Sequence, residues 1–266
     1  MNKKTYTILD KICERKRIEV ESRKSKISID KILELAKNVP IKNSFKNALK
    51  KNERIPAIIA ELKKASPSAG LIRENFDYKN LSQSLENAGA NAMSVLTESE
   101  FFLGNDEYLK EVSSVVKIPL IRKDFIFDEY QICEAKVLGA SAILLIATML
   151  SDEEFKKLYS FAKELNLDVL AEAHDEEEIE RLVSCGADII GVNSRNLKTF
   201  ETNLETGAKL LSKIPNEIIK VSESALCCYE DLLYVGECGA DAVLIGTALM
   251  SKENPAQELK KLLGRE

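Results

Sequence analysis

The sequence predicts an α/β protein: a (β/α)8 TIM barrel with a helical N-terminal extension. Four similar segments support this prediction, and each is a Gly-Ala pair followed by an apolar run. They begin at Gly89, Gly139, Gly186 and Gly239, so successive glycines are 50, 47 and 53 residues apart. Four further apolar runs alternate with them, which gives one strand-helix unit per roughly 25 residues. Eight even units favour a closed barrel over the alternative, an open doubly wound sheet.

The N-terminal extension covers residues 1–48 and has the pattern of amphipathic helix. One apolar stripe at helical spacing consists of Ile8, Leu9 and Ile12. A second consists of Ile29, Ile32, Leu33 and Leu35. We expect this extension to lie across one end of the barrel, which occupies residues 56–264. No low-complexity linker interrupts the sequence, so residues 1–266 form a single predicted domain.

The eight predicted strands are continuous apolar runs, the pattern of strands that are buried on both faces. The runs outside the four glycine segments are Ala57–Ala60, Ile118–Ile121, Leu167–Ala171 and Ile218–Val221. Each glycine stands where a preceding helix ends, because a C-cap residue with positive φ is usually glycine. Two helices carry start signals, since Ser151 and Asp175 are each followed three residues later by Glu, the spacing of a capping box.

Charge and composition exclude several functions. The net charge is −5 and the pI is near 5.4, whereas proteins that bind nucleic acid usually carry a basic face. No apolar run approaches the roughly 20 residues that cross a bilayer, and the N-terminus lacks the apolar segment of a secretory signal. We therefore expect a cytoplasmic protein with neither nucleic-acid nor membrane partners.

The cysteines do not suggest a metal site. Six cysteines form no CxxC pair, and the chain has one His, so the sequence predicts no structural zinc. We expect reduced thiols that serve as small apolar fillers.

Polar and charged side chains follow five of the predicted strands. In this fold the active site lies at the carboxyl ends of the strands. The residues there are Glu61 and Lys63, then Lys123, Glu172, Asn193 and Arg195, and Glu223. Neighbouring opposite charges shift one another's pKa, which acid–base catalysis requires. These strand ends therefore predict an acid–base site at the mouth of the barrel.

Two residues near these strand ends have a structural interpretation. We expect Asp124, next to Lys123, to be an ion-pair partner or a helix cap. His174 follows Glu172 by two residues, and we expect it to help begin the helix beside Asp175 rather than to act as a base.

Small residues follow the last two strands. Ser224-Ala225 and Gly246-Thr247-Ala248 fit the phosphate site that backbone N–H groups commonly form at this position. Ser66, in the first loop, could add a hydroxyl. Tight strand–helix packing would produce the same pattern, and this alternative stays open on these residues alone.

Seven motifs, taken in order, resemble indole-3-glycerol phosphate synthase, a barrel enzyme of the tryptophan pathway. They are IIAELKKASPSAG, SVLTESEFFLG, PLIRKDFIFDEYQICEA, VLAEAHDEEE, GVNSRNLKTFETNL, VSESAL and VLIGTALM. The resemblance covers essentially the whole chain, including the helical extension. It implies ring closure of 1-(o-carboxyphenylamino)-1-deoxyribulose 5-phosphate with loss of CO2 and water. It also implies a reaction without metal or organic cofactor, a small phosphorylated substrate, and a monomer or weak homodimer.

The resemblance also implies a role for each site residue. Lys123 matches the general acid, Glu172 the base of the dehydration, and Lys63 its partner amine, which Glu61 tunes. The positions that orient the substrate are matched by Asn193, Arg195 and Glu223. The phosphate cradle is matched by Ser66, Ser224, Ala225, Gly246 and Thr247.

Two positions depart from the family pattern. Ala225 stands where Gly is usual, and Ala69 where Lys is frequent in SPSKG. Ala225 still offers its N–H unless the position requires a positive φ. The missing Lys is expected to weaken the attraction for phosphate or the closure of the first loop.

Two other functions are alternatives for a barrel with these strand ends, a Schiff-base aldolase and a non-catalytic barrel. A Schiff-base aldolase on the same barrel would use Lys63 or Lys123 as nucleophile, and borohydride would trap its substrate. A non-catalytic barrel would lack one of the charged strand ends, and none is missing.

Overall fold

Eight parallel strands close into a barrel in chain order, and the last strand pairs with the first. The structure is a computed structural model that describes residues 7–40, 43–50, 55–195 and 201–265. The barrel strands are β1 (Ala57–Leu62), β2 (Ala92–Leu96), β3 (Leu120–Lys123), β4 (Ala142–Ile146), β5 (Asp168–Ala173), β6 (Ile189–Asn193), β7 (Ile219–Glu223) and β8 (Ala242–Ile245). The closed barrel is confirmed, and the open sheet is excluded.

Helices precede the barrel and alternate with its strands. Before β1 lie α1 (Ile8–Lys24), α2 (Ile29–Asn38) and α3 (Phe45–Ala48). Around the barrel lie α4 (Tyr78–Ala88), α5 (Asp106–Val115), α6 (Glu129–Val137), α7 (Asp152–Glu164), α8 (Glu176–Ser184), α9 (Leu204–Leu211), α10 (Tyr229–Glu237), α11 (Thr247–Met250) and α12 (Pro255–Leu262). A 3-10 turn at Ala147–Met149 follows β4, and a short hairpin pairs Ala65–Ser66 with Gly70–Leu71. Of the described helices, none combines the length and the apolar character that crossing a membrane requires.

Several strands run further towards the mouth than their apolar runs predict. Strands β1, β3, β5 and β7 each end two residues later than expected, at Leu62, Lys123, Ala173 and Glu223. The extra residues include charged side chains that are paired across the barrel, which offsets the cost of burying them. The strand ends therefore contain part of the site rather than preceding it.

The barrel interior is sealed at the amino ends of the strands by α3. Phe45 and Leu49 are fully buried and pack with interior strand residues such as Ile59 and Ile189. Asp168, at the start of β5, accepts a hydrogen bond from the Lys46 backbone N–H at 2.9 Å. This end of the barrel is a packed core, and the opposite end stays open.

The extension reaches both ends of the barrel, so the expectation that it lies across one end is incomplete. While α3 closes the amino end, Ile8, Leu9 and Ile12 of α1 line the pocket at the mouth. The second predicted stripe is partly wrong. Ile32 is buried where α2 packs on α6, but Ile29 and Leu35 are 38% and 41% exposed because the buried face of α2 is narrow.

The predicted helix boundaries are mostly confirmed. All four repeated glycines have positive φ, between 82° and 113°. Ser151 and Glu154 form a capping box. Asp175 caps α8 by accepting the Glu178 N–H, but the expected reciprocal bond differs, because the Glu178 carboxylate accepts the backbone N–H of His174.

Candidate active site

A pocket opens at the carboxyl ends of the strands, where the fold predicts an active site. The structure places all twelve candidate residues along it: Glu61, Lys63, Ser66, Lys123, Glu172, Asn193, Arg195, Glu223, Ser224, Ala225, Gly246 and Thr247. Parallel strands of a closed barrel end on one rim, so residues more than a hundred positions apart in sequence become neighbours there.

Lys123 is at the centre of the charged cluster. Its Nζ lies 3.0 Å from Glu172 Oε2 and 3.7 Å from Glu223 Oε2. Burial opposes its charge, but the carboxylates of Glu172, Glu223 and Glu61 outweigh burial and raise the pKa of Lys123. Lys123 is therefore an ammonium across the physiological pH range.

A second ion pair joins the end of β1 to the loop that follows it. Lys63 Nζ lies 2.7 Å from Glu61 Oε1, and Ser94 donates to the other Glu61 oxygen at 3.2 Å. Burial of Glu61 is outweighed by the charges of Lys63 and Lys123, which lower its pKa. A Cβ on Gly246 would lie 2.4 Å from Glu61 Oε1 and 2.9 Å from Lys63 Nζ, so glycine makes room for this pair.

Glu172 and Glu223 have opposite protonation tendencies. Burial disfavours the charge of Glu172, but Lys123 and His174 outweigh burial and lower its pKa. Burial and the negative charge of Glu172 raise the pKa of Glu223 to about 8, against the opposing effect of Lys123. At neutral pH, Glu172 is thus a carboxylate beside a protonated Glu223. Two carboxyl groups whose environments separate their pKa values are typical of acid–base sites.

Asn193 fixes the orientation of Glu172. Its amide nitrogen donates to Glu172 Oε1 at 3.2 Å. Its amide oxygen accepts from Ser224 Oγ at 2.9 Å and from the Arg195 backbone N–H at 3.1 Å. The Ser224 hydroxyl is thus committed to Asn193, which the sequence did not indicate.

The turn after β7 has a backbone that favours glycine. Ser224 and Ala225 have φ angles of 68° and 61°. Position 225 therefore has a positive φ, the condition under which replacing the usual Gly is unfavourable. Ala in this conformation costs on the order of 1 kcal/mol of folding free energy.

The first loop lies along the same rim, where Ser66, Pro67 and Ser68 line the pocket. The buried Ser66 hydroxyl accepts from the Ala69 backbone N–H at 3.2 Å and lies 3.3 Å from Ser68 Oγ. The hydroxyl tightens the loop next to the pocket.

Asp124 and Arg122 belong to a buried network beside the pocket, and Asp124 also lines the pocket wall. Asp124 lies 3.1 Å from Lys16 of α1 and 3.3 Å from Arg122, and it accepts from Thr97 at 2.6 Å. This confirms the structural interpretation of Asp124. Arg122 points away from the mouth and donates to the Gln131 carbonyl at 2.9 Å.

Sequence reasoning did not identify the apolar wall of the pocket. The wall is formed by side chains of α1 and the loops, among them Ile8, Leu9, Ile12, Phe102, Phe125 and Leu226. The apolar stripe of α1 was a usable signal, but the sequence alone did not show that this stripe faces the mouth.

The cysteines differ from one another. All six lie within the described residues and none forms a disulfide. The filler prediction is right for the buried Cys133 and wrong for the exposed Cys227. Among the described residues, Cys227, Cys228 and Asp231 place one possible ligand atom each within 4.8 Å of one another. The Asp231 carboxylate there accepts the N–H groups of both cysteines, which is a helix-capping role.

Comparison with known proteins identifies the family of this barrel. The family model described as "Indole-3-glycerol phosphate synthase" matches residues 9–262. The chain belongs to the indole-3-glycerol phosphate synthase family. It is a carboxy-lyase of tryptophan biosynthesis, as the resemblance implied.

Named relatives agree with this family along almost their full length. The indole-3-glycerol phosphate synthase of Campylobacter jejuni subsp. doylei is 48% identical over 96% of this chain and 100% of its own. That of Ruminiclostridium cellulolyticum is 44% identical over 97% of this chain and 99% of its own.

Solved structures with low sequence identity share the fold alone. Thiamine phosphate pyrophosphorylase from Pyrococcus furiosus superposes with a TM-score of 0.59 at 17% identity, over 83% of this chain and 96% of its own. A mutant tryptophan synthase alpha-subunit from the same organism gives 0.61 at 16% identity, over 78% of this chain and 98% of its own.

Proposed function

We propose that this pocket converts 1-(o-carboxyphenylamino)-1-deoxyribulose 5-phosphate to indole-3-glycerol phosphate, with Lys123 as general acid and Glu172 as general base. The observation that carries this proposal is the pairing of a charged amine with an ionised carboxylate, 3.0 Å apart, at the centre of the mouth. The two groups hold opposite protonation states in one site, which successive proton transfers require.

Ring closure uses the ammonium of Lys123. The aromatic carbon that bears the carboxylate attacks the ketone carbon, and Lys123 supplies the proton that the ketone oxygen gains. Loss of CO2 then returns the electron pair to the ring. The apolar wall from α1 and the loops supports the aromatic part of the substrate, and low polarity there strengthens the interaction of Lys123 with the developing charge.

Dehydration uses the other members of the cluster. Glu172 removes a proton from the ring-closed intermediate, and Lys63 protonates the hydroxyl that leaves as water. Glu61 keeps Lys63 in place through their 2.7 Å ion pair. Asn193, Arg195 and the protonated Glu223 orient the substrate.

The phosphate lies at the ends of β7 and β8. Backbone N–H groups of Ala225, Gly246 and Thr247 surround it, and Ser66 adds a hydroxyl. The consecutive positive φ angles of Ser224 and Ala225 support this, since turns of this kind create concave groups of N–H donors. The Ser224 hydroxyl contributes indirectly, through Asn193.

Net charge and the state of the cysteines bear on the cellular compartment and on the class of substrate. A net charge of −5 and six unpaired cysteines support a cytoplasmic enzyme that acts on a small phosphorylated substrate rather than on nucleic acid. From the family resemblance alone, we infer a monomer or a weak homodimer.

Replacing the general acid tests the proposal. We expect Lys123→Ala to lower kcat at least about 1,000-fold, because it removes both the proton donor and the charge that stabilises the ketone oxygen. Product formation is followed by indole fluorescence, and folding by circular dichroism. Lys110→Ala, an exposed lysine on α5, is the matched control and should keep wild-type activity. Activity of the Lys123 variant within tenfold of wild type would refute this role.

Borohydride treatment in the presence of substrate separates the proposal from an aldolase. We expect no covalent adduct on Lys63 or Lys123, since neither acts as a nucleophile. A reduced adduct detected by mass spectrometry would favour the Schiff-base alternative.

A further inference from the structure

His174 lies between two carboxylates at the carboxyl end of β5. Its Nε2 is 3.4 Å from Glu172 Oε1, and its Nδ1 is 3.3 Å from Glu178 Oε2. The side chain is 15% exposed. Among the described residues, Nε2 has no hydrogen-bond partner of good geometry, although it is buried. The ring is therefore held on one side and directed at the candidate base on the other.

Glu178 is held so that it faces this ring. One of its oxygens accepts from Thr148 Oγ1 at 2.6 Å. The other accepts the His174 backbone N–H at 2.8 Å and faces Nδ1. This arrangement explains why the predicted capping box is incomplete, since the Glu178 carboxylate serves His174 rather than the Asp175 backbone.

The two carboxylates determine the charge that the ring must carry. If Nδ1–H donates to Glu178, a neutral ring turns the lone pair of Nε2 towards the Glu172 carboxylate, which is repulsive. A doubly protonated ring places an N–H against each carboxylate. The geometry therefore favours imidazolium whenever both glutamates are ionised.

We propose that His174 is a positioning residue whose imidazolium, anchored by Glu178, holds the Glu172 carboxylate in place and ionised for proton removal. This inference rests on the proposed role of Glu172. Oxygen Oε2 of Glu172 pairs with Lys123, whereas Oε1 lies between Asn193 and His174. When substrate draws Lys123 towards the ketone, His174 remains as the positive charge beside Glu172.

The groups that face His174 come from several elements. Burial opposes the charged ring, but Glu178 on α8 and Glu172 on β5 outweigh burial and raise the pKa of His174; Glu223 on β7 adds to them only at the higher pH where it ionises. Lys123 on β3 acts on it through Glu172, and the neighbouring Asp175 is engaged in capping α8. Because linkage is reciprocal, the amount by which Glu172 raises the pKa of His174 equals the amount by which the imidazolium lowers that of Glu172.

His174 can be observed directly because it is the one histidine of the chain. Enzyme labelled with 15N-histidine and purified without a histidine tag gives a spectrum of this single ring. We expect its pKa to lie above 6.5 and to fall by about one pH unit in Glu172→Gln and in Glu178→Gln. Glu180→Gln, an exposed change on the same helix, is the matched control and should leave the titration unchanged. A pKa that is unaffected by Glu172→Gln would overturn the inference.

The pH dependence of kcat/KM gives the second measurement. We expect the acid limb to move up by about one pH unit in His174→Gln, because the imidazolium lowers the pKa of Glu172. In Glu178→Gln the ring stays charged at the low pH where Glu172 titrates, so the acid limb should not move up. An unmoved acid limb in His174→Gln would contradict the inference. Full activity of Glu172→Gln would instead refute the proposed base. The histidine titration needs no turnover, so the two failures are distinguishable.

Discussion

At the scale of single residues, the site works because its charges nearly cancel. Lys63 and Lys123 are balanced by Glu61 and Glu172, so the fifth member, Glu223, only shares Lys123 with Glu172, at the longer distance of 3.7 Å. Burial of an unbalanced charge is costly, so Glu223 binds a proton instead. A Cβ at Gly191 would lie 2.2 Å from its Oε1, so glycine makes room for this carboxyl group.

Glu223 should make stability depend on pH. Its pKa is raised from 4.5 in the unfolded chain to about 8, so the native state binds more protons between these values. Stability contributed by this group is fully present below about 4.5 and is lost as the pH rises towards 8. We expect the melting temperature of Glu223→Gln, relative to wild type, to rise progressively from pH 5 to pH 8. Circular dichroism melts would contradict this if the difference were constant.

Ala225 offers a test of backbone strain. Its φ of 61° suits glycine, so Ala225→Gly should not destabilise the fold and should stabilise it by up to about 1 kcal/mol. Ala248→Gly, within α11, is the matched control and should cost about 1 kcal/mol. Urea denaturation measures both, and equal losses in the two variants would show that position 225 is not strained.

At the scale of elements, α1 is joined to the barrel by buried charge. Lys16 is 2% exposed and pairs with Asp124, which directly follows Lys123 in sequence. Two turns further along the same helix face, Arg23 pairs with Glu134 at 3.0 Å and with Asp106. The helix that supplies the apolar wall is thus attached to the strand that supplies the general acid.

Removing Lys16 should loosen that attachment. Lys16→Ala leaves Asp124 buried with Arg122 as its remaining cation, and we expect a loss of about 3 kcal/mol in the free energy of unfolding. Lys11→Ala, an exposed lysine on the same helix, should change it by less than about 0.5 kcal/mol. Urea denaturation compares the two variants, and a loss below 1 kcal/mol for Lys16→Ala would mean that the pair is not essential to docking α1.

At the scale of the whole molecule, the sequence predicts the barrel because its signals are local. The apolar runs and the glycine helix ends each occupy a few neighbouring residues. The ends of β3 and β5 depend on a contact that is not local in sequence. Lys123 and Glu172 are the charged residues near these ends, and each is paired with the other inside the barrel mouth. An apolar run cannot show that a charge beyond it has a buried partner.

The candidate site, too, could be predicted only in part. The order of strands predicts that the charged strand ends share one rim, but it does not show which side chains pair with each other there. The commitment of Ser224 to Asn193, and of His174 to Glu172 and Glu178, each depends on atoms from different elements. The position of His174, two residues after a candidate base, also fits a helix start, and only its contacts with Glu172 and Glu178 distinguish the two roles.

The central claim is that Lys123 and Glu172 act on successive steps in one pocket. Single-turnover measurement of CO2 release and of indole-3-glycerol phosphate formation, with enzyme in excess, tests it most directly. For Glu172→Gln, we predict CO2 release close to the wild-type rate and product formation slowed about 100-fold. For Lys123→Ala, both should be lost. Equal slowing of both signals in Glu172→Gln, or slowing of neither, would contradict the claim.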